Sequence, residues 1–578
     1  MLKALRRNGG RRYALVTALV AAAAALSIAP AYARSGGASW SMSGQGITNW
    51  RYQPDESKLN QGNVKSQLSL QWATQLGGEI SATPAVVDGV AYVPDWGGYL
   101  SAVDTDTGTV IWQQSVTALA GASGPMVVDS SGHAVPGTGP VVSRTSPAVS
   151  GRTVVIGTQA MMSAVPGVGA GAQLIAVDKR DGHLLWRHKL DDHPLSIDTA
   201  SPTIYNGVAY VGVASVEENG IDCGASTNAC YFRGSVNAVK LANGSLLWKT
   251  YTITAKQSLA GYSGAAVWGS SPAIDVDRNS VYIGTGNNYG APKAVSDCVT
   301  AAGTDPKAIF SCEDTLGRGN DVDAIMSLSL TTGSIRWAHK LQGFDAWTTA
   351  CIGLPTACPS PNGPDYDFGQ GPMLIPADGS GHGDRDLQGN HGDRDIVAAG
   401  QKSGLMWGLD ADTGATVWST AVGPGSSLGG MEWGSATDGK RIYFAVANFN
   451  VPAQSYPMVN PPKGTPATSS AGSWGAVDAA TGKILWQTAD PNGSIDLGPV
   501  SVANGVVYAS SMGALFFPGV LPTMFALDAK SGKQLWSFAS GGSVNAGPAI
   551  VDGTVYWGSG YTHLGFGGGN NQLFAFGR

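Results

Sequence analysis

The chain is predicted to be all-β, folding as an eight-bladed β-propeller, and three observations point there. The first is a ten-residue unit, VDTDTGTVIW, at residues 103–112, which recurs along the chain. Its copies are VDKRDGHLLW to Trp186, VKLANGSLLW to Trp248, LSLTTGSIRW to Trp337, LDADTGATVW to Trp418, VDAATGKILW to Trp486 and LDAKSGKQLW to Trp536. Each reads as strand, tight glycine turn, strand, with the glycine supplying the positive φ of the turn. The second is that no single copy buries its own apolar faces, so the copies must pack on one another around a ring. The third is the match between the two ends. QLFAFGR, residues 572–578, begins an eighth copy and stops where its turn and Trp should follow. The missing half stands at the front as SLQWATQL, residues 69–76, with Trp72 in the docking position. Pairing these segments closes the ring and removes its open sheet edges. The alternative is seven blades with a stray strand.

Composition agrees with this. The 578 residues include 81 glycines, enough for many hairpins, and only 13% are charged. A formal charge of -6 carries no nucleic-acid signal. Residues 1–33 read as a cleaved signal peptide. Arg6-Arg7 and Arg11-Arg12 precede an apolar run, and Ala31-Tyr32-Ala33 fits a signal-peptidase site. Residues 34–578 then form one propeller domain. GRRYAL loosely resembles a twin-arginine signal, which leaves the export route open. No later run is long and uncharged enough to span a bilayer, so stable membrane insertion is not expected. The expected location is the periplasm or the cell exterior. Six cysteines support export, because they fall in three close pairs: Cys223 with Cys230, Cys298 with Cys312, and Cys351 with Cys358. In an oxidising compartment each pair staples a local loop. The spacings do not suit zinc, and no Cys-x-x-Cys-His occurs to carry covalent haem.

Taken in order, the chain places polar residues at the blade entrances. Residues 40–64 are irregular and are expected to cap one end of the ring. Glu79 follows two glycines at the entry to the first blade. It is either a solvated loop charge or a group facing the central channel. Arg144, in SRTSPAV, holds the same place in the second blade. Glu217 lies just beyond an apolar strand of the third. Trp268 leads into the fourth, and Asn287 follows its next strand in a Thr-Gly-Asn turn. Taken singly, these two read as core packing and a turn residue. The fifth region contains FDAWTTAC and GPDYDFGQ, with Asp365 and Asp367 two apart. If that segment is extended, both carboxylates share a face and require a cation or strong solvation. The insertion SGHGDRDLQGNHGDRD, residues 380–395, reads as an exposed loop. Lys402 stands at the next strand–turn junction.

No dinucleotide fingerprint, Walker sequence or nucleophile elbow is present. What remains is a ring made of Glu79, Arg144, Glu217, Asn287, Asp365 or Asp367, and Lys402, with Trp268 as a flat face among them. Carboxylates with an amide oxygen suit Ca²⁺. Arg and Lys suit a planar anion.

The chain from residue 34 onward resembles the quinoprotein alcohol dehydrogenases, which bind pyrroloquinoline quinone (PQQ) in an eight-bladed propeller, and within them the polyvinyl alcohol dehydrogenase branch. The resemblance is carried by the TG-x-x-x-W repeats, SRTSPAV, YFRGSV, WGSSPAID…VYIGTGNN, GPDYDFG and GQKSG. It implies cofactor contacts at Glu79, Arg144, Trp268 and Lys402. Trp268 would be the floor beneath the quinone, and Lys402 would stand beside its reactive oxygens. It implies metal ligands at Glu217 and Asn287, joined by Asp365 and Asp367. The ion would be Ca²⁺, with a lanthanide as the alternative that the second acid raises. It implies a catalytic aspartate, placed at Asp365 across the cysteine insertion, with Lys402 assisting. Asp345, in DAWT, is the other candidate position. Two departures stand out. Relatives cover the quinone with a disulfide between adjacent cysteines, and here GTGPVVS, residues 137–143, precedes Arg144 instead. No haem-binding segment is present, so electrons must pass to an external acceptor such as a soluble cytochrome c.

Two function classes follow. One is PQQ- and metal-dependent oxidation of an alcohol, a polymer or bulky secondary alcohol on the branch resemblance, to a ketone or aldehyde. The other is a non-catalytic envelope scaffold that binds protein partners, which needs the docking repeats but no acidic cluster.

Overall fold

A computed structural model describes residues 38–121, 126–128, 134–136, 141–160, 167–168, 171–193, 195–219, 231–269, 271–313, 315–353, 358–376, 395–450, 452–513 and 521–578. Eight sheets, each built on four antiparallel strands in ladder order, make an eight-bladed propeller, and two of them carry a fifth short strand, Ser196–Ile197 on blade 3 and Tyr52–Gln53 on blade 7. Blade 1 is Ala85–Val87, Val90–Pro94, Tyr99–Asp104 and Val110–Ser115. Blades 2 to 7 repeat the pattern, from Ala148–Ser150 to Gln534–Phe538. Blade 8 takes Ala549–Val551, Thr554–Gly558 and Gln572–Gly577 from the C-terminal end. Its outer strand is Ser69–Gln75, antiparallel to Gln572–Gly577 with Trp72 opposite Ala575. The predicted closure is therefore present.

The repeat unit explains how blades hold one another. In blade 1 the Asp104 carboxylate accepts from the amides of Asp106 and Thr107 and from the Thr107 hydroxyl, which fixes the outer hairpin. Gly108 then turns back at φ 71°. A side chain there would collide with the neighbouring blade, because a Cβ would lie 2.7 Å from the Trp72 ring. Trp72 Nε1 donates to the Thr105 carbonyl at 2.9 Å. The same contact repeats around the ring. Trp112 donates to Lys179 O, Trp186 to Leu241 O, Trp248 to Leu330 O, Trp337 to Ala411 O, Trp418 to Ala479 O and Trp486 to Ala529 O. Glycine and tryptophan are thus the two halves of one inter-blade joint.

The cap predicted for residues 40–64 runs along the inner edge of the ring. Trp40 bridges Val86 of blade 1. Carbonyls of Ser41, Ile47, Thr48, Trp50 and Arg51 accept from the amides of Val149, Ile274, Leu374, Thr437 and Val502, in blades 2, 4, 5, 6 and 7. Gln53 Nε2 reaches Ile550 O in blade 8. These bonds satisfy innermost strand edges that would otherwise face the channel unpaired.

Two expected disulfides are formed. Cys298–Cys312 ties the helix Lys293–Ala302 to the helix Pro306–Cys312, and Cys351–Cys358 closes a loop beside the fifth blade. Cys223, Cys230, residues 1–37 and residues 377–394, which hold all of the 380–395 insertion but Asp395, lie outside the described residues. No helix of the described residues is long and apolar enough to cross a membrane.

Candidate active site

The site is built from loops that enter innermost strands or leave the second strands, which an antiparallel blade brings to one end. Lys402 follows Ile396–Gly400 of blade 5. Its ammonium lies 3.1 Å from Asp365 Oδ1 and 3.3 Å from Asp367 Oδ2. It also stands 4.9 Å from the centroid of the Trp268 ring. Trp268 Nε1 donates to Asp367 Oδ2 at 2.9 Å, and the Asn287 amide donates to Asp367 Oδ1 at 2.5 Å. Both oxygens of Asp367 are thereby engaged. Asp365 differs, since its Oδ2 is buried without a hydrogen-bond partner.

The two aspartates do not share a face by lying on a strand, as an extended segment would place them. Asp365 sits at φ 65°, in the left-handed region, within an irregular loop. Asp345 holds that loop, accepting the Asp365 amide at 3.0 Å and the Tyr366 amide at 2.7 Å. It anchors the segment that carries the acids and does not reach the Lys402 ammonium. Asn287 is buried, with its amide nitrogen donating to the carbonyls of Asn288 and Trp347. Gly286 is required beside it, because a Cβ would stand 3.0 Å from both Asp367 Oδ2 and Trp268 Nε1.

Glu217 does not join this cluster. Its carboxylate accepts the Phe232 amide at 2.9 Å and lies 3.6 Å from His193 Nε2. The acid that joins is Glu218. Carboxylate oxygens of Glu218, Asp365 and Asp367 all lie within 4.8 Å of one another. The physical reason is the 3₁₀ turn at Val216–Asn219, which rotates successive side chains about 120° apart. Position 218 faces the axis of the site and 217 faces the next loop.

Two further acids were not singled out in the sequence. Glu432, before blade 6, is buried near Lys402 and Arg144, and burial pushes its carboxyl up to about 7. Its neighbour Trp433 meets Trp268 edge-on, with centroids 5.3 Å apart and planes at 89°. The Arg144 guanidinium lies 4.8 Å from the Trp433 ring. A glycine pair shortly ahead of an acid, as before Glu79, is the signal that could have found it. Asp323 is the second, fully buried with neither carboxylate oxygen hydrogen-bonded, and burial holds its carboxyl well above the usual range.

Glu79 stands apart from the acids, on a different part of the rim. The Thr562 amide and hydroxyl donate to it, and His563 Nε2 lies 2.9 Å away. Burial would raise its carboxyl, but the contacts with His563 and Thr562 outweigh that and hold it low. His563 stacks on Trp96 at 3.6 Å.

The electrostatics follow from these distances. Burial raises Asp365 well above the ordinary carboxylate range, although Lys402 opposes it. Burial, with Asp367 adding, pushes Glu218 up to about 7. Burial alone would lower Lys402, but Asp365 and Asp367 outweigh it and keep the ammonium charged. Lys402 and Arg144 are outnumbered by the buried acids Glu218, Asp365, Asp367 and Glu432, and a bound cation would offset the excess negative charge. The three carboxylates make a hard oxygen donor set, suited to Ca²⁺ or an ion of like chemistry.

The fold is that of a quinoprotein-type propeller, and it holds a buried cluster of acids and one lysine beside Trp268. The chain belongs to the PQQ propeller family whose model, described as outer membrane protein assembly factor BamB, matches residues 31–339 and 470–576. It is 28% identical to a polyvinylalcohol dehydrogenase of Pseudomonas sp. over 90% of this chain and 73% of that protein. It is 27% identical to one of Sphingopyxis sp. (strain 113P3), over 86% of this chain and 68% of that protein. The fold is shared with the quinohemoprotein alcohol dehydrogenase of Comamonas testosteroni, at a TM-score of 0.62 and 19% identity, covering 93% of this chain and 80% of that one. Further relatives carry the names quinoprotein and quinohemoprotein alcohol dehydrogenase, both of Pseudomonas putida.

Proposed function

We propose that this protein is a PQQ- and metal-dependent alcohol dehydrogenase acting on a secondary or polymeric alcohol such as polyvinyl alcohol. The observation that carries the reading is the Glu218–Asp365–Asp367 cluster closed over the face of Trp268 by Lys402. When bound, PQQ supplies the two-electron acceptor and the metal a Lewis acid.

This chain's residues supply the rest. Glu218, Asn287, Asp365 and Asp367 are the metal-binding set, with Glu218 replacing the sequence assignment of Glu217. Ca²⁺ is the proposed ion, and a lanthanide is the alternative that the second aspartate favours. Trp268 provides a flat apolar floor. Arg144, Lys402 and Glu79 are polar groups for the cofactor's rim. Asp365 takes the substrate hydroxyl proton on Oδ2, the oxygen without a protein donor. Lys402, on Oδ1, orients that carboxylate and stabilises negative charge that develops near it. Electrons leave to an external acceptor such as a soluble cytochrome c. The segment 1–33 would direct export to the periplasm or beyond.

The family model's own description favours a second reading, a non-catalytic envelope scaffold. A scaffold has no use for buried like charges, each of which costs stability. Adding PQQ and CaCl₂ to purified apoprotein separates the two. An alcohol dehydrogenase gives a red-shifted, protein-bound quinone absorbance and dye reduction with a polymeric alcohol. A protein with no bound absorbance and no turnover would be a scaffold.

A further inference from the structure

We infer that the propeller axis carries an anion site at Arg51, which takes a halide ion or a single carboxylate group. Arg51 lies on the inner segment that pairs with the blades, and it is 3% exposed. Its guanidinium donates to the carbonyls of Val500 and Ser43, both at 2.8 Å. It also donates to the hydroxyls of Ser43, Thr83 and Ser501 at 3.3, 2.9 and 3.4 Å. Every one of these acceptors is neutral, so the hydrogen bonds are satisfied while the charge is not. A buried cation without an opposite charge costs several kcal/mol, and burial accordingly pushes Arg51 down to about 9.

Beside Arg51 lies a cavity of about 50 Å³, lined among others by Ser81, Thr83, Ser146, Ser201, Asn545 and Arg144. No Asp or Glu lines it. The hydroxyls share one role, each accepting a hydrogen bond. Ser81 accepts from Trp96 Nε1, Thr83 from Arg51, Ser146 from the Thr83 amide and Ser201 from the Ser146 amide. None of the four donates to a protein acceptor among the described residues, so their O–H groups remain to be used. Arg144 adds a buried Nε without a partner, although Glu218 and Glu432 also draw on its charge. Asn545 Oδ1 is buried without a partner as well, and an amide flip turns its NH₂ to the same space. Four hydroxyl donors and two guanidinium groups around one small space select an anion. The space also sets the size. A water needs about 10–15 Å³, so a halide or one carboxylate fits and a ring system does not.

Two sources supply that chemistry: a free halide, or one carboxylate of PQQ. The second rests on the proposed function and the first does not. Bromide and acetate are the probes, applied to the full chain without cofactor at fixed ionic strength. The expected result is a saturable rise in Tm with either anion, and in bromide-soaked crystals an anomalous peak within about 4 Å of the guanidinium, a contact distance for a charged pair. Arg51→Met should abolish both. Should that variant not fold, Thr83→Val keeps the cation and should weaken the apparent anion affinity about tenfold, the effect of one hydrogen bond to a charged group. Repeating the soak after loading PQQ and Ca²⁺ identifies the source: a lost peak means the cofactor's carboxylate replaces bromide, and a retained peak means a free ion. No anomalous peak, with wild type and Thr83→Val responding alike to all salts, overturns the site.

Discussion

Lys402 and Asp365 form an ion pair sealed from solvent, at 3.1 Å, and the pair uses only one oxygen of the aspartate. Asp367 also touches Lys402, but it spends both oxygens on protein donors. The two acids should therefore fail differently when neutralised. Asp365→Asn should keep PQQ absorbance and lose about 10²–10⁴-fold in turnover, because an amide cannot accept the alcohol proton. Asp367→Asn should weaken cofactor and metal binding instead, since an amide NH₂ would face either the Trp268 or the Asn287 N–H. Single-turnover reduction of bound quinone reads the difference. Wild-type quinone reduction in Asp365→Asn removes it as the base.

Neighbouring glutamates offer a second comparison. Glu218→Gln should reduce calcium affinity by at least tenfold, whereas Glu217→Gln should leave it within about twofold. The basis is that loss of an ionic partner at a buried site costs roughly 1.5–3 kcal/mol. Calcium titration by calorimetry, with and without PQQ, measures both. Equal losses would return Glu217 to the ligand set.

What could be read from the sequence, and what could not, divides along the range of the forces involved. The blades were legible because each joint is local: a glycine that must turn and a tryptophan that must dock, repeated at matching offsets. The ring closure was legible because half a repeat is missing at one end and present at the other. Trp268, Asn287, Asp367 and Lys402, which the family resemblance picked out, are brought into one cluster. Glu217 and Glu218 were not separable, since adjacent acids differ only in the rotation of a short 3₁₀ turn. The support that Asp345 gives to Asp365 depends on a loop returning across 20 residues, which no periodicity announces. Arg51 looked like part of an irregular leader because its partners come from distant blades.

Stability should fall between pH 4 and 6, in part through Asp95. Its buried carboxyl is pushed from 3.8 up to about 6, chiefly by burial, while amides of Tyr99 and Gly77 oppose the shift. The folded state then holds the proton more tightly than the unfolded chain. Below the unfolded value both forms are protonated and nothing is lost. As pH rises toward 6 the unfolded chain ionises first, and stability declines by roughly 3 kcal/mol in all. Asp198 and Asp496 are raised by the same cause, and their loss starts at the same pH and continues to higher pH. Asp95→Asn should flatten the fall between pH 4 and 6. Urea unfolding at unit pH steps tests this, and parallel curves for wild type and variant would refute it.

The last prediction concerns closure. Strand Ser69–Gln75 is the only part of blade 8 from the N-terminal side, and it is the outer edge of that sheet. It also carries Trp72, which packs on Tyr556 within blade 8 and bonds the turn of blade 1. The strand therefore performs two tasks, completing one sheet and joining the first blade to the last. Trp72→Ala removes the joint to blade 1 and the contact with Tyr556 but keeps the backbone pairing of the sheet. A buried Trp→Ala change costs about 3–5 kcal/mol, and Trp72 is half-buried, so a loss nearer 2 kcal/mol is expected, with cooperative unfolding retained. Starting the chain at Gly77 removes both tasks, together with the inner segment that bonds the other blades. That truncation should yield an open ring whose exposed strand edge self-associates. A Leu70→Ala control on the exposed face of the same strand should be nearly neutral. Thermal unfolding with light scattering ranks the three, and a soluble, monomeric truncation as stable as the full chain would show that closure contributes little to the fold.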